Sequence, residues 1–231
     1  LYDLMTAYTA LNRYGERTPL KFIRRVVDRY DNVIEDHSDH SDPSVDLASR
    51  IDRGYQEFIA PKRQAMEPQT AFLTISLLQN VVQNGTGMRA RRLQVPVAGK
   101  TGTTNDAYDA WFMAFTRERV TGVWVGHDKK ERPLGVSEQG GRTAAPIWVE
   151  YMDRALTDQT KKGDKRRINH GSFRLPAGVV RVSIDPETGL LARPGGRSVS
   201  EYYRRGSEPT EYTPDERFVQ PDTATIFDVD M

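Results

Sequence analysis

The stretch Val97-Ala98-Gly99-Lys100-Thr101-Gly102-Thr103-Thr104 puts one cation, two glycines and three hydroxyls into a run whose β-branched members favour a strand. Its ending resembles a phosphate-binding loop, which closes on Gly-Lys-Thr as Gly99-Lys100-Thr101 does. That loop needs another glycine five positions before Gly99, so that backbone N–H groups can cradle the phosphates. Position 94 is Gln94, and the cradle is missing. A solvent-facing strand lysine among good strand formers is the plain alternative. The sequence on either side decides between that and a site.

Working outward, strand character runs from Val95 to Thr104, from Ala110 to Thr116 and from Val120 to Gly126, the last two separated only by Arg117-Glu118-Arg119. Three adjacent antiparallel strands are the economical arrangement. Before them, Pro68 opens a helix that sets Ala71, Phe72, Ile75, Leu78 and Val82 on one face and stops at Asn84-Gly85. After them, Thr143 caps a helix with Pro146 in its first turn and Ile147, Trp148, Tyr151, Met152 and Ala155 on one face. Near the start, Asp3 caps a helix carrying Leu4, Ala7, Tyr8 and Leu11, which Gly15 ends in a left-handed turn. Between Phe22 and Ile34, a β-branched run, Asp31-Asn32 and Val33-Ile34 predict two strands joined tightly. Asp36 to Asp46, rich in Asp, Ser and His, predicts an exposed loop. Helices packed on an antiparallel sheet make an α+β fold.

Composition narrows the function. With 231 residues, 37% hydrophobic and 28% charged, the chain is that of a globular protein, and its formal charge of +1 gives no long-range pull towards nucleic acid or an anionic membrane. The lack of cysteine removes disulfides, thiol nucleophiles and Cys-type zinc sites together. No apolar run reaches the roughly 20 residues that span a bilayer. His37 and His40 among Asp36, Asp39 and Asp42 lack a rigid element to fix metal geometry, so they are expected to be solvated rather than to ligate. The basic run Lys161-Lys162-Gly163-Asp164-Lys165-Arg166-Arg167 lacks interleaved aromatics and is expected to be an exposed linker. Asn84-Gly85-Thr86 fits a glycosylation sequon but falls on a helix stop, and a cap is expected there. Trp111, Trp124 and Trp148 each lie in an apolar run and are expected in the core.

The surroundings of Lys100-Thr101-Gly102 resemble the class A penicillin-binding proteins. Pro68-Gln69-Thr70-Ala71, Asn84-Gly85-Thr86-Gly87, Pro96 to Asp106, Asp109-Ala110-Trp111-Phe112, Gly122-Val123-Trp124-Val125-Gly126 and Gly140-Gly141-Arg142-Thr143-Ala144-Ala145-Pro146-Ile147-Trp148 occur in that family's order and spacing. The stretch Val182 to Leu191 and Gly206-Ser207-Glu208-Pro209-Thr210-Glu211 resembles the extension that follows. The resemblance implies an antiparallel sheet flanked by helices of the penicillin-binding transpeptidase and serine β-lactamase kind, here incomplete. It further implies residues 1–158 as the C-terminal part of that domain, and 159–231 as linker and extension.

What the resemblance implies chemically has a physical rationale. A serine attacks the D-alanyl-D-alanine carbonyl of a peptidoglycan stem peptide, and an amine from a neighbouring strand takes the acyl group. Substrate adds as a strand along Lys100 to Thr104; Thr103 N–H supplies half of the oxyanion hole, and Gly102 permits close approach. Lys100 with the Thr101 and Thr103 hydroxyls holds the terminal carboxylate, which β-lactams mimic. No cofactor or metal is implied. Yet no serine here is followed three positions later by lysine or two positions later by asparagine. The nucleophile, together with the glycosyltransferase domain and membrane anchor, is therefore expected in an N-terminal remainder, working outside the cytoplasmic membrane. Without that remainder, Trp111, Ile75 and Leu78 are expected to lie bare. The rival expectation is a non-catalytic module of the same fold that binds peptide or cell wall.

Overall fold

The computed structural model describes residues 1–61, 63–129, 132–135, 138–157 and 171–214. The chain divides into two compact units, Leu1–Arg174 and Leu175–Met231. The boundary expected near residue 158, the basic run at 161–167 and the acidic end of the tail lie outside the described residues.

In the first unit the order is α1 (Tyr2–Asn12), β1 (Glu16–Arg17), β2 (Arg25–Val27), β3 (Val33–Asp36), α2 (Leu47–Ile59), β4 (Arg63–Gln64) and α3 (Pro68–Asn84). A 3-10 turn at Met88–Leu93 leads to β5 (Ala98–Thr103), β6 (Asp109–Phe115), β7 (Val120–Gly126) and α4 (Ala144–Ala155). The main sheet is antiparallel in the order β5-β6-β7, as the three strand-like runs predict. The fold is α+β, with antiparallel sheets flanked by helices.

Strand β6 is the middle strand and is buried along nearly its whole length. One of its faces sets Phe112 and Ala114 against α4, where Phe112 meets Trp148 edge-on at 5.4 Å. Trp148 is fully buried and its indole N–H donates to Thr121 O at 2.9 Å, satisfying the one polar atom of a large core side chain. The other face presents Phe115 to Tyr8 of α1 and to Phe173, at 6.2 and 5.7 Å. Gly99 of β5 lies opposite Ala114, and a Cβ on it would sit 2.4 Å from the Ala114 Cβ. The small side chain there is a packing requirement.

Several expectations need correction. Asp3 lies inside the first turn of α1, whose N-cap is Leu1; Gly15 does take the left-handed conformation, with φ 93°. Gly85 ends α3 from an extended backbone, its N–H donating to Val81 O at 3.0 Å, so the helix stop is a cap but not a left-handed one. The buried stripe of α4 is Ala144, Ala145, Trp148, Val149 and Met152, which keeps Trp148 and Met152 of the expected face and leaves Ile147 and Tyr151 exposed. Of the three tryptophans only Trp148 is core: Trp111 is half-buried, and Trp124 is exposed with its indole N–H on Asp109 Oδ1 at 2.9 Å. Ile75, expected to be bare, is fully buried.

The loop at Asp36 to Asp46 is more ordered than its composition suggests. Asp36, Asp39 and Asp42 each accept the N–H of the residue two positions on, Ser38, Ser41 and Ser44, at 2.8–2.9 Å. Ser38, Asp42 and Val45 are buried. Arg53 of α2 clamps the loop through Asp36 Oδ2 at 3.0 Å and Ser38 O at 2.7 Å.

In the second unit, β8 (Val179–Ile184) pairs antiparallel with β9 (Val199–Arg204). The turn that follows β8 is closed by Gly189 N–H on Asp185 O at 2.9 Å, with φ 72° at Gly189.

Candidate functional site

Lys100 to Thr103 lie on β5, an edge strand: β6 pairs with one side, and among the described residues no strand pairs with the other. Thr104 N–H donates to Asp109 O at 3.2 Å and Thr104 Oγ1 accepts Asp109 N–H at 2.8 Å, so Thr104 closes the connection into β6. Antiparallel ladders alternate inward and outward residues. With Thr104 turned inward, Thr103 and Thr101 turn their N–H and C=O groups to the free edge. The Lys100 ammonium follows the same geometry, donating to Thr101 O at 2.8 Å.

Two segments distant in sequence complete the site. The turn after α3 brings Thr86 to Thr101, their hydroxyl oxygens 2.7 Å apart. The loop entering α4 brings Gly140, whose N–H donates to Thr103 Oγ1 at 3.1 Å. That loop packs so closely that a Cβ on Gly140 would lie 2.2 Å from Trp111 O and 2.7 Å from Gly102 O. A Cβ on Gly141 would lie 2.7 Å from Thr86 O. Thr143 caps nothing with its side chain; its hydroxyl donates to Glu138 and ties the loop to itself. Gly102 has a second reason to be glycine, since a Cβ would meet the Trp111 Cβ at 3.2 Å.

These segments enclose a cleft of about 400 Å³. Its hydroxyls are Thr86, Thr101 and Thr103, its cations Lys100, Arg89 and Arg142, and Gln139 adds an amide. Among the described residues no carboxylate lines it, so the local field is positive although the chain as a whole is nearly neutral. Such a wall suits an extended peptide that ends in a carboxylate: edge N–H and C=O groups for the backbone, hydroxyls and cations for the charge. A larger cleft of about 780 Å³ beside α4 sets Arg89 and Arg92 against Glu150 and Asp153. It offers no comparable cluster of hydroxyls.

Among the described residues no group of three His or acidic side chains is placed to hold a metal. His37 Nε2 lies 2.5 Å from Glu35 and His40 Nδ1 lies 2.8 Å from Glu57, each ring engaged with its own carboxylate. No helix of the described residues is long and apolar enough to cross a membrane.

Residues 2–153 match the family model for the penicillin binding protein transpeptidase domain. The chain belongs to that family. Residues 175–217 match the model for the penicillin-binding protein 1A C-terminal domain. Among curated relatives, penicillin-binding protein 1A of Pseudomonas aeruginosa is 43% identical over 136 residues, covering 58% of the chain and 15% of the relative. The protein of the same description from Aquifex aeolicus is 34% identical over 207 residues, covering 90% and 24%. The crystal structure of penicillin-binding protein 1A from Haemophilus influenzae superimposes with a TM-score of 0.68 at 27% identity, covering 92% of the chain and 33% of that structure. The chain thus spans about a quarter or less of these two curated relatives' length.

Thr86, Arg89, Gln139, Gly140, Gly141 and Arg142 were not assigned to the site by sequence reasoning. Three of them carry a signal. The paired Gly140-Gly141 just before a helix marks a close backbone approach, and Thr86 stands between two glycines.

Proposed function

We propose that this chain supplies the Lys-Thr-Gly wall of a serine-type D,D-transpeptidase that cross-links peptidoglycan stem peptides and is acylated by β-lactams. The observation that carries this reading is the free edge of β5: an outward Thr103 N–H beside a cleft of hydroxyls and cations, inside residues that match the transpeptidase family. The stem peptide adds to that edge as a strand. Its terminal carboxylate lies between Lys100 Nζ and the Thr101 and Thr103 hydroxyls, and its scissile carbonyl oxygen meets Thr103 N–H, which stabilises the oxyanion as the serine attacks.

Each residue has a separate part. Lys100 supplies positive charge to the carboxylate and lowers the energy of a nearby serine alkoxide. Thr101 and Thr103 donate hydrogen bonds that fix the carboxylate, while Gly102 keeps the strand flat against Trp111 and open to substrate. Thr104 holds the strand end to Asp109. The attacking serine and its partner lysine belong to a segment N-terminal to this chain, as do a membrane anchor and a peptidoglycan glycosyltransferase domain. The reaction takes place outside the cytoplasmic membrane, where the stem peptides are.

The test is the acylation rate of the full-length protein with a fluorescent penicillin. Lys100→Ala is expected to lower it at least about tenfold, equivalent to ~1.4 kcal/mol of transition-state stabilisation. An unchanged rate would mean that Lys100 is a bystander and that the site reading is wrong.

A further inference from the structure

Thr86 is the one hydroxyl in the cleft that is neither on β5 nor on the α4 loop. Its Oγ1 lies 2.7 Å from Thr101 Oγ1, and either oxygen can be the donor. Its main chain is held on both sides, because the N–H groups of Gly85 and Gly87 both donate to Val81 O, at 3.0 and 3.1 Å. From above it is hemmed in by Gly141, where a Cβ would approach Thr86 O to 2.7 Å and the Thr101 methyl to 3.6 Å. Thr86 is itself exposed, so the pair of hydroxyls sits at the open surface of the cleft. The hydroxyl of Thr101 is otherwise a free rotor with one proton and two lone pairs.

We propose that Thr86 is a positioning residue that sets the direction in which the Thr101 hydroxyl donates. The proposal rests on the assignment of Thr101 to the substrate carboxylate made above. A hydroxyl that must donate to a carboxylate has its lone pairs left to accept. Thr86 fills one of them by donating its own proton to Thr101 Oγ1, leaving the Thr101 proton pointed into the cleft beside Lys100. The two hydroxyls then form a chain, Thr86 to Thr101 to carboxylate, in which each bond polarises the next. Without Thr86 the Thr101 rotor has to be ordered when substrate binds, and that ordering is charged against the transition state. Thr86 touches no reacting atom and acts only through Thr101.

The experiment uses the full-length protein and a fluorescent penicillin bearing its free carboxylate. Thr86→Val keeps the shape and removes the hydroxyl; it is expected to slow acylation about fivefold, the scale of one net hydrogen bond. Thr86→Ser restores the hydroxyl and is expected to stay within about twofold of the parent. In a Thr101→Val background, Thr86→Val is expected to add nothing, since the group it acts through is gone. Thermal melts of each variant, with Thr86→Ala as a second hydroxyl-free variant, keep the comparison to folded protein. The proposal is overturned if Thr86→Val acylates like the parent, if Thr86→Ser is as slow as Thr86→Val, or if the losses at 86 and 101 are additive. A silent Thr86→Val with a slow Thr101→Val removes this proposal alone; a silent Thr101→Val removes the carboxylate assignment and the proposal together.

Discussion

Thr103 separates backbone from side-chain contributions. Its hydroxyl accepts Gly140 N–H, whereas its own N–H faces the unpaired edge of β5 and is the group assigned to the oxyanion. Thr103→Ser keeps both groups and is expected to acylate nearly like the parent. Thr103→Pro removes the N–H, and loss of one oxyanion donor costs about 10²–10³ in rate. Penicillin acylation measured on both, with circular dichroism to confirm folding, checks this; equal rates from two folded variants would contradict the backbone assignment. At Gly140 the constraint is purely steric. A methyl there is driven into Trp111 O and Gly102 O, which are main-chain atoms that cannot swing aside. Gly140→Ala is therefore expected to destabilise the fold by about 1–3 kcal/mol, read as a lowered chemical-denaturation midpoint, and to disturb Thr103 with it.

At the scale of elements, the loop from Asp36 to Asp46 makes a prediction in pH. The Arg53 guanidinium and Ser38 hold the Asp36 carboxyl far below its ordinary range, and Ser41 and Ser44 depress Asp39 and Asp42. Carboxylates whose folded pKa is depressed stabilise the fold above their unfolded pKa near 4 and lose that contribution as pH falls through the folded value. The loop is thus expected to hold at neutral pH and open in acid. Hydrogen exchange of the Ser38, Ser41 and Ser44 amides, corrected for intrinsic rates, should show protection falling below about pH 4. Unchanged protection at low pH would contradict the account.

The same loop shows where the sequence was legible and where it was not. Helix α3 and strands β5, β6 and β7 have strong local periodicity and appear within a few residues of their expected bounds. By composition the Asp-x-Ser repeat at 36–44 reads as a solvated segment, whereas its two-residue spacing of acceptor and donor is what the structure uses to order it. Helix α2 is absent from the expected elements, although Asp46 caps it through Ser49 N–H and Leu47, Ile51, Tyr55 and Phe58 recur at helical spacing. Strands β1 and β4 pair only two residues each, so tertiary contact decides them. Within the site, Lys100, Thr101 and Thr103 stood out because one strand carries them. Thr86 and Gly140 did not, since folding alone brings residues 15 and 37 positions away to those threonines.

For the whole molecule, the distribution of apolar surface matters most. Helix α2 buries none of its residues, and its Ile51 and Phe58 are 65% and 83% exposed. Phe22, Tyr30 and Ile34 around the β2–β3 hairpin are likewise exposed, so this part of the first unit turns its charges inward and its apolar side outward. Surfaces of that kind promote association. The isolated chain is expected to bind a hydrophobic dye and to self-associate, and Ile51→Ser with Phe58→Ser should reduce both.

The central claim is that this chain holds the substrate-binding wall of a transpeptidase site while the nucleophile lies N-terminal to it. Intact-mass spectrometry after penicillin treatment tests that division directly, on the isolated chain and on the full-length protein. The account predicts no adduct on the isolated chain, because carboxylate binding by Lys100 and Thr101 does not open a lactam without an activated serine. It predicts one penicillin per full-length molecule, mapped to a serine outside residues 1–231. A stoichiometric adduct on any serine of the isolated chain would contradict it.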